Sequence, residues 1–120
     1  QNTLSENLEV ITTADILLNE DSLQGDFYSL RGMAYFQRAK LLNDSAELMV
    51  KSEKDLTQAV ASLNINVNYI GRAYMTLSDI YLGENELQKA DRAIKKALRA
   101  NKRIKGVREK LKNINRLKLQ

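Results

Sequence analysis

The chain has 120 residues, 28% of them charged and 43% hydrophobic, with five Gly and no Pro, Cys, His or Trp. Without Cys or His there is no thiol nucleophile, no imidazole base, no disulfide framework and no zinc site, so any catalysis would have to run on carboxylates, lysines and hydroxyls. The net charge of +4 hides a division, because residues 1–87 hold 6 Lys or Arg against 13 Asp or Glu whereas residues 88–120 hold 13 against 2.

The absence of Pro and the abundance of Leu, Ala, Lys, Glu, Gln and Arg favour helix throughout, and the apolar spacing agrees. The first segment carries Leu4, Leu8, Ile11, Ala14 and Leu18 as one stripe of a helix ending near residues 19–21, and residues 22–25 read as a turn. A second helix is expected from about 25 to 42 with Phe27, Leu30, Ala34 and Leu41, stopping at Asn43-Asp44-Ser45. Asp44 followed three residues later by Glu47 has the form of a capping box for a third helix, from about 45 to 63, bearing Leu48, Leu56, Ala59, Val60 and Leu63. Asn64, Asn66 and Asn68 are expected to end it.

A fourth helix spans roughly 69–82, and Gly83-Glu84-Asn85 breaks it with residues that tolerate left-handed backbone angles. The fifth, about 86–100, has the stripe Leu87, Ala90, Ala93, Ile94, Ala97 and Leu98; the sixth, about 103–118, has Ile104, Val107, Leu111, Ile114 and Leu117. All seven aromatics lie between residues 27 and 81, so the basic end has none. Six helices joined by short turns predict an all-α antiparallel array. No apolar run approaches the roughly 20 residues that a bilayer crossing needs.

Self-similarity refines that reading. Tyr74-x-x-Leu77-Ser78-x-x-Tyr81, followed by Ala90, Ile94 and Ala97, has the order large, Leu, small, Tyr on one helix and small, large, small on the next. An earlier copy reads Tyr28-x-x-Arg31-Gly32-x-x-Tyr35, with Leu56 and Ala59 aligned to Ile94 and Ala97. The small residues Ser78, Ala90 and Ala97 let two helices approach closely while the large ones fill the space beside them. In these spacings the chain resembles the tetratricopeptide repeat family. It departs from the pattern in having Asn85 where the turn usually has Gly and Lys102 where Pro is usual. Tyr35 to Tyr81 is also 46 residues, against the family's repeat of about 34, so the first copy needs longer helices or a longer turn.

The resemblance implies a single domain over residues 1–120, a short right-handed superhelical solenoid of about six helices. Its parts are a leading helix (1–21), an expanded repeat (25–64), a regular repeat (69–102) and a basic capping helix (103–120). It also implies a concave groove lined by the first helix of each pair, binding a peptide or partner protein without catalysis, metal or cofactor. Carried onto this chain, the groove residues are Asp26, Ser29, Met33, Phe36 and Gln37 from the first copy and Arg72, Met75, Asp79 and Leu82 from the second. Met33, Phe36 and Met75 would make an adaptable apolar strip with charged flanks; packing against a terminal helix is the other account of the same side chains. A chaperone-tail clamp is disfavoured, because Ser29, Met33 and Thr76 stand where that subclass has Lys, Asn and Asn.

The basic third supplies an alternative function, binding nucleic acid or an anionic lipid surface through Lys95, Lys96, Arg99, Lys102 and Arg103, weakening as salt rises. Cations that merely complement helix C-termini and solubilise a cap are the plainer account. The acidic front and basic end also allow head-to-tail self-association. Phosphate-loop, dinucleotide-loop and nucleophile motifs are absent, and a non-enzyme is expected. Many bacterial members of the family are exported, and a start at Gln1 fits a processed chain, which leans the expectation towards the envelope while leaving the cytoplasm open.

Overall fold

The structure, a computed structural model, describes residues 4–21 and 24–120. Residues 1–3 of the leading segment, and residues 22 and 23 of the expected turn, lie outside the described residues. Among those described, the chain is all-α: α1 (Leu4–Glu20), α2 (Gly25–Leu41), α3 (Ala46–Ala61), α4 (Val67–Gly83), α5 (Leu87–Ala100) and α6 (Val107–Lys118). None of these helices is long and apolar enough to cross a membrane. They gather into two compact units, Gln1–Asn66 and Val67–Gln120.

In the first unit α2 packs against both α1 and α3. The buried stripe of α1 is Asn7, Ile11, Ala14 and Leu18, at steps of 4, 3 and 4, whereas Leu4 and Leu8 stay 39% and 51% exposed. The expected stripe thus began on the wrong residue, because Leu8 lies about 100° around the helix from Asn7. Asn7 occupies the buried position by donating its amide to Gln37 Oε1 at 3.2 Å. Asn43 and Asp44 both adopt left-handed angles, φ 60° and 59°, which carries the chain one residue past the expected cap. Ser45 caps α3 instead, its Oγ accepting from the Leu48 amide at 3.4 Å, while Asp44 pairs with Lys40 and Glu47 with Lys51. No Asp44–Glu47 capping box forms.

Helix α3 ends at Ala61 and Leu63 is fully exposed, outside the stripe assigned to it. The following strap folds back over the start of α2: the Gly25 amide donates to the Asn64 carbonyl at 2.8 Å and the Asn66 amide to Asp26 Oδ1 at 2.6 Å. A Cβ on Gly25 would sit 2.7 Å from Ile65 Cβ, so only Gly allows that approach. Asn68 lies within α4, which starts at Val67 rather than residue 69.

In the second unit the α4–α5 turn uses Asn85 at φ 60°, the left-handed residue expected there, and the Glu86 amide donates to the Tyr81 carbonyl at 2.8 Å. The core joins Ala90, Ile94 and Ala97 of α5 to Val107 and Ile114 of α6, with Tyr74, Met75, Tyr81, Leu82, Leu98, Ile104 and Leu111 packed against it. Helix α6 starts at Val107, not 103, because Gly106 is left-handed at φ 84°. Ile104 in the connection contacts Gly71 so closely that a side chain on Gly71 would overlap it.

In both hairpins, α2–α3 and α4–α5, a serine hydroxyl bonds a carbonyl of the facing helix, with the donor on the second helix of the first hairpin and on the first helix of the second. In α4–α5 the buried Ser78 hydroxyl donates to the Ala90 carbonyl at 2.9 Å; in α2–α3 the buried Ser52 hydroxyl donates to the Gly32 carbonyl at 2.6 Å. Gly32 aligns with Ser78 and Ser52 with Ala90 in the registers that pair Tyr28 with Tyr74 and Leu56 with Ile94. Between the crossing residues lie 20 positions in the first hairpin and 12 in the second. Of that difference of eight, four residues extend α2 beyond its crossing, three extend the start of α3 and one lies in the turn. The first hairpin is longer mainly because more of each helix lies between the crossing residue and the turn.

Candidate functional site

An apolar groove of the first unit runs between α1 and α2. Val10, Ala14 and Leu17 of α1 and Phe27 and Leu30 of α2 line a groove of about 460 Å³, with Thr13, Glu6 and Glu9 at its edge. Helix α1 presents this second apolar flank because Val10 and Leu17, seven residues apart, lie on the side opposite Leu4 and Leu8 relative to its buried stripe. The groove composition is that of a surface that accepts an apolar ridge and favours cations at its rim.

Sequence reasoning reached the neighbouring face of α2. Met33, Phe36 and Gln37 are half-buried; Gln37 is engaged by Asn7, and Lys40 lies 6.0 Å from the Phe36 ring centre. Asp26 holds the strap through the Asn66 amide. Ser29 is fully buried and presents no atom to a ligand. Phe27 and Leu30 were expected only as apolar positions of the second helix, and the α1 contribution was missed altogether. The alternation of Val10 and Leu17 with the buried stripe was the signal available for it.

In the second unit, Met75 and Leu82 pack against the α5–α6 core, Asp79 accepts the Lys110 ammonium at 2.7 Å, and Arg72 is exposed. The two groups of expected groove residues therefore stand in separate units, and of the four in the second, Met75, Asp79 and Leu82 are engaged within that unit.

The strongest polar constellation holds helices together. Arg31 on α2 makes a two-pronged bond to the buried Asp55 of α3, Nε to Oδ2 at 2.7 Å and an Nη to Oδ1 at 2.8 Å, and a further bond to Asp15 of α1 at 2.8 Å. Tyr28 and Tyr35 flank the guanidinium, with ring centres 5.6 Å and 6.0 Å away. The Asp55 hydrogen bond raises the Arg31 pKa further above its ordinary value despite burial, and burial pushes the Tyr35 phenol up. These are conditions for fixing charge, not for moving protons. In the second hairpin the aligned positions are Leu77 and Ala93, both buried, so an apolar pair there replaces the ion pair here.

On α5, Arg92, Lys95, Lys96 and Arg99 are exposed, and Lys102 and Arg103 continue the basic surface in the connection to α6 instead of on a helix. Lys95 differs from the rest: it bonds the buried Asp91 at 2.9 Å, and Lys118 reaches the same oxygen at 3.4 Å. Burial raises the Asp91 pKa, but the hydrogen bonds and charges of Lys95 and Lys118 outweigh it and hold the carboxyl below its ordinary range. Lys96 lies 5.6 Å from the Tyr74 ring centre. Among the described residues no cluster of acidic side chains is arranged to hold a metal ion.

No family model, curated protein or solved structure matches this chain.

Proposed function

We propose that the chain is a non-catalytic interaction module of tetratricopeptide-like construction, an adaptor that holds a peptide or a helix of a partner protein as part of a larger assembly. The observation that carries the reading is that the same two aligned positions are joined in both hairpins by a buried serine hydroxyl bonded to a carbonyl, although the donor stands on opposite helices of the two pairs. Repeat arrays are built from one hairpin used again, and they work through the surface that stacking leaves open. In this reading α1 precedes the first repeat, α6 caps the second, and the pairs belong to a short right-handed solenoid. The most strongly shifted side chains, Arg31, Tyr35 and Asp91, are all committed to contacts between helices or within α5, which favours a scaffold over an enzyme.

The binding surface in this proposal is the α1–α2 groove, extended by Met33, with Phe27 and Leu30 as apolar anchors. A photoreactive residue at Thr13 tests it against one at Thr57, on the exposed side of α3. The expected outcome is a partner crosslinked in its native cell from position 13 and not from 57, and lost when Val10→Glu and Leu30→Glu are combined with helicity retained by circular dichroism. Equal capture from both positions, or capture that survives the double substitution, overturns the groove assignment.

A further inference from the structure

The outer face of α5 carries a row of exposed cations, of which Lys96 also lies over the Tyr74 ring. Arg92, Lys96, Arg99 and Arg103 follow one another at steps of 4, 3 and 4, and all are exposed. From Arg92 to Arg99 the row is about 10 Å long at the helical rise of about 1.5 Å per residue, and Arg103 follows in the connection to α6. Two of the acids nearest in sequence are engaged elsewhere: Asp91 is buried beneath Lys95 and Lys118, and Glu86 pairs with Lys89. The second unit as a whole holds 14 Lys or Arg against 5 Asp or Glu, while the first holds 5 against 10. Positive charge is thus concentrated on one unit, where α5 and α6 carry five cations each and their connection three more.

The kind of polyanion follows from what that face lacks. A protein partner needs an apolar, charge-depleted patch at the centre of its interface. The apolar residues of α5, Ala90, Ala93, Ile94 and Ala97, are instead buried in the core. An amphipathic membrane helix must also have its apolar side free to enter the lipid, and here that side is occupied. Stacking on single-stranded bases needs aromatic rings, and α5 and α6 have none. A regular double-stranded backbone requires only evenly spaced cations, and its phosphates lie a few Å apart along each strand.

We propose that the outer face of α5, through Arg92, Lys96 and Arg99, together with Arg103 in the connection that follows it, binds the phosphate backbone of duplex nucleic acid without sequence selection. Four phosphate contacts give a log–log salt slope of about −3.6, a loss of roughly 150-fold in affinity between 50 and 200 mM salt. The test is fluorescence anisotropy of the full chain with a labelled 20-base-pair DNA duplex over that range. The triple variant Arg92→Ala, Lys96→Ala, Arg99→Ala is expected to reduce the slope to about −1, whereas Lys54→Ala on α3 leaves it unchanged. A duplex of different sequence is expected to bind equally. No duplex binding at 50 mM salt overturns the proposal, as does a slope that the triple variant leaves intact. Tighter binding to phosphatidylserine vesicles than to duplex, or self-association that removes the row from solution in sedimentation runs, assigns the face to another partner and overturns it too.

Discussion

At the scale of single residues, the Arg31–Asp55 pair shows how one position of a repeat can be filled by opposite chemistries. Leu77 and Ala93 need no partner beyond apolar contact, whereas a buried carboxylate is stable only while the guanidinium answers it. Asp55→Ala is therefore expected to cost about 2–4 kcal/mol in urea denaturation, because it leaves Arg31 facing its former partner's site with only Asp15. Arg31→Leu combined with Asp55→Ala, which installs the residues of the second hairpin, is expected to recover most of that loss. If the double variant is no more stable than Asp55→Ala alone, the two pairs are not interchangeable. Asp91 makes a prediction in pH. Its folded pKa lies below its unfolded value, so its contribution is complete above the ordinary carboxylate pKa of about 3.9 and is lost as pH falls through the lower folded value. Asp91→Asn is expected to be less stable than the native chain at pH 7, by about 1–2 kcal/mol, with the gap closing as the pH falls below about 4. A gap independent of pH, measured by thermal unfolding from pH 7 to 3, would falsify the ion-pair account.

At the scale of elements, close approach of helices decides which small residues are replaceable. A Cβ on Gly32 would lie 2.8 Å from two atoms of the Leu56 side chain and 3.1 Å from Asp55 Cβ, whereas one on Gly83 would meet nothing within 4 Å. Gly32→Ala is expected to destabilise by about 1–3 kcal/mol through overpacking, although Ala is the better helix former. Gly83→Ala is expected to stabilise by up to about 1 kcal/mol from propensity alone. Opposite signs in the two denaturation midpoints are the result to look for; a stabilising Gly32→Ala would mean that the α2–α3 crossing has room to spare. The number and class of helices were legible because Pro is absent and the apolar spacing is helical from end to end. Their ends were less so. Ser45 took the cap from Asp44 because two consecutive left-handed residues moved the helix start, and α6 was delayed to Val107 because Gly106 turns the chain and Ile104 is needed against Gly71. Those are consequences of tertiary packing that no local pattern carries.

At the scale of the whole chain, charge and apolar surface are divided between the units. The acidic first unit has the apolar groove, and the basic second unit has the cation row, so the adaptor reading and the duplex-binding proposal use different surfaces and are tested separately. The repeat pattern led to Met33 and Phe36, on the neighbouring face of α2, and not to the lining of this groove. Phe27, Leu30 and the α1 lining were not legible, because the pattern describes contacts inside a hairpin, and the groove depends on which flank of a preceding helix is left uncovered.

The sequence by itself determined the all-α class, the positions of the small residues, the left-handed turn at Asn85 and the polarity of charge, since each follows from composition or from periodicity along one helix. Tertiary structure alone decided that Asn7 rather than Leu8 faces inward, that Arg31 clamps three helices, and that Ser29 is closed to solvent. It also decided that Lys95 is tied to a buried acid while Arg92, Lys96 and Arg99 stand on the open face of α5. The reason is the same in each case: periodicity says which residues share a face, and only the neighbouring helix says what that face meets.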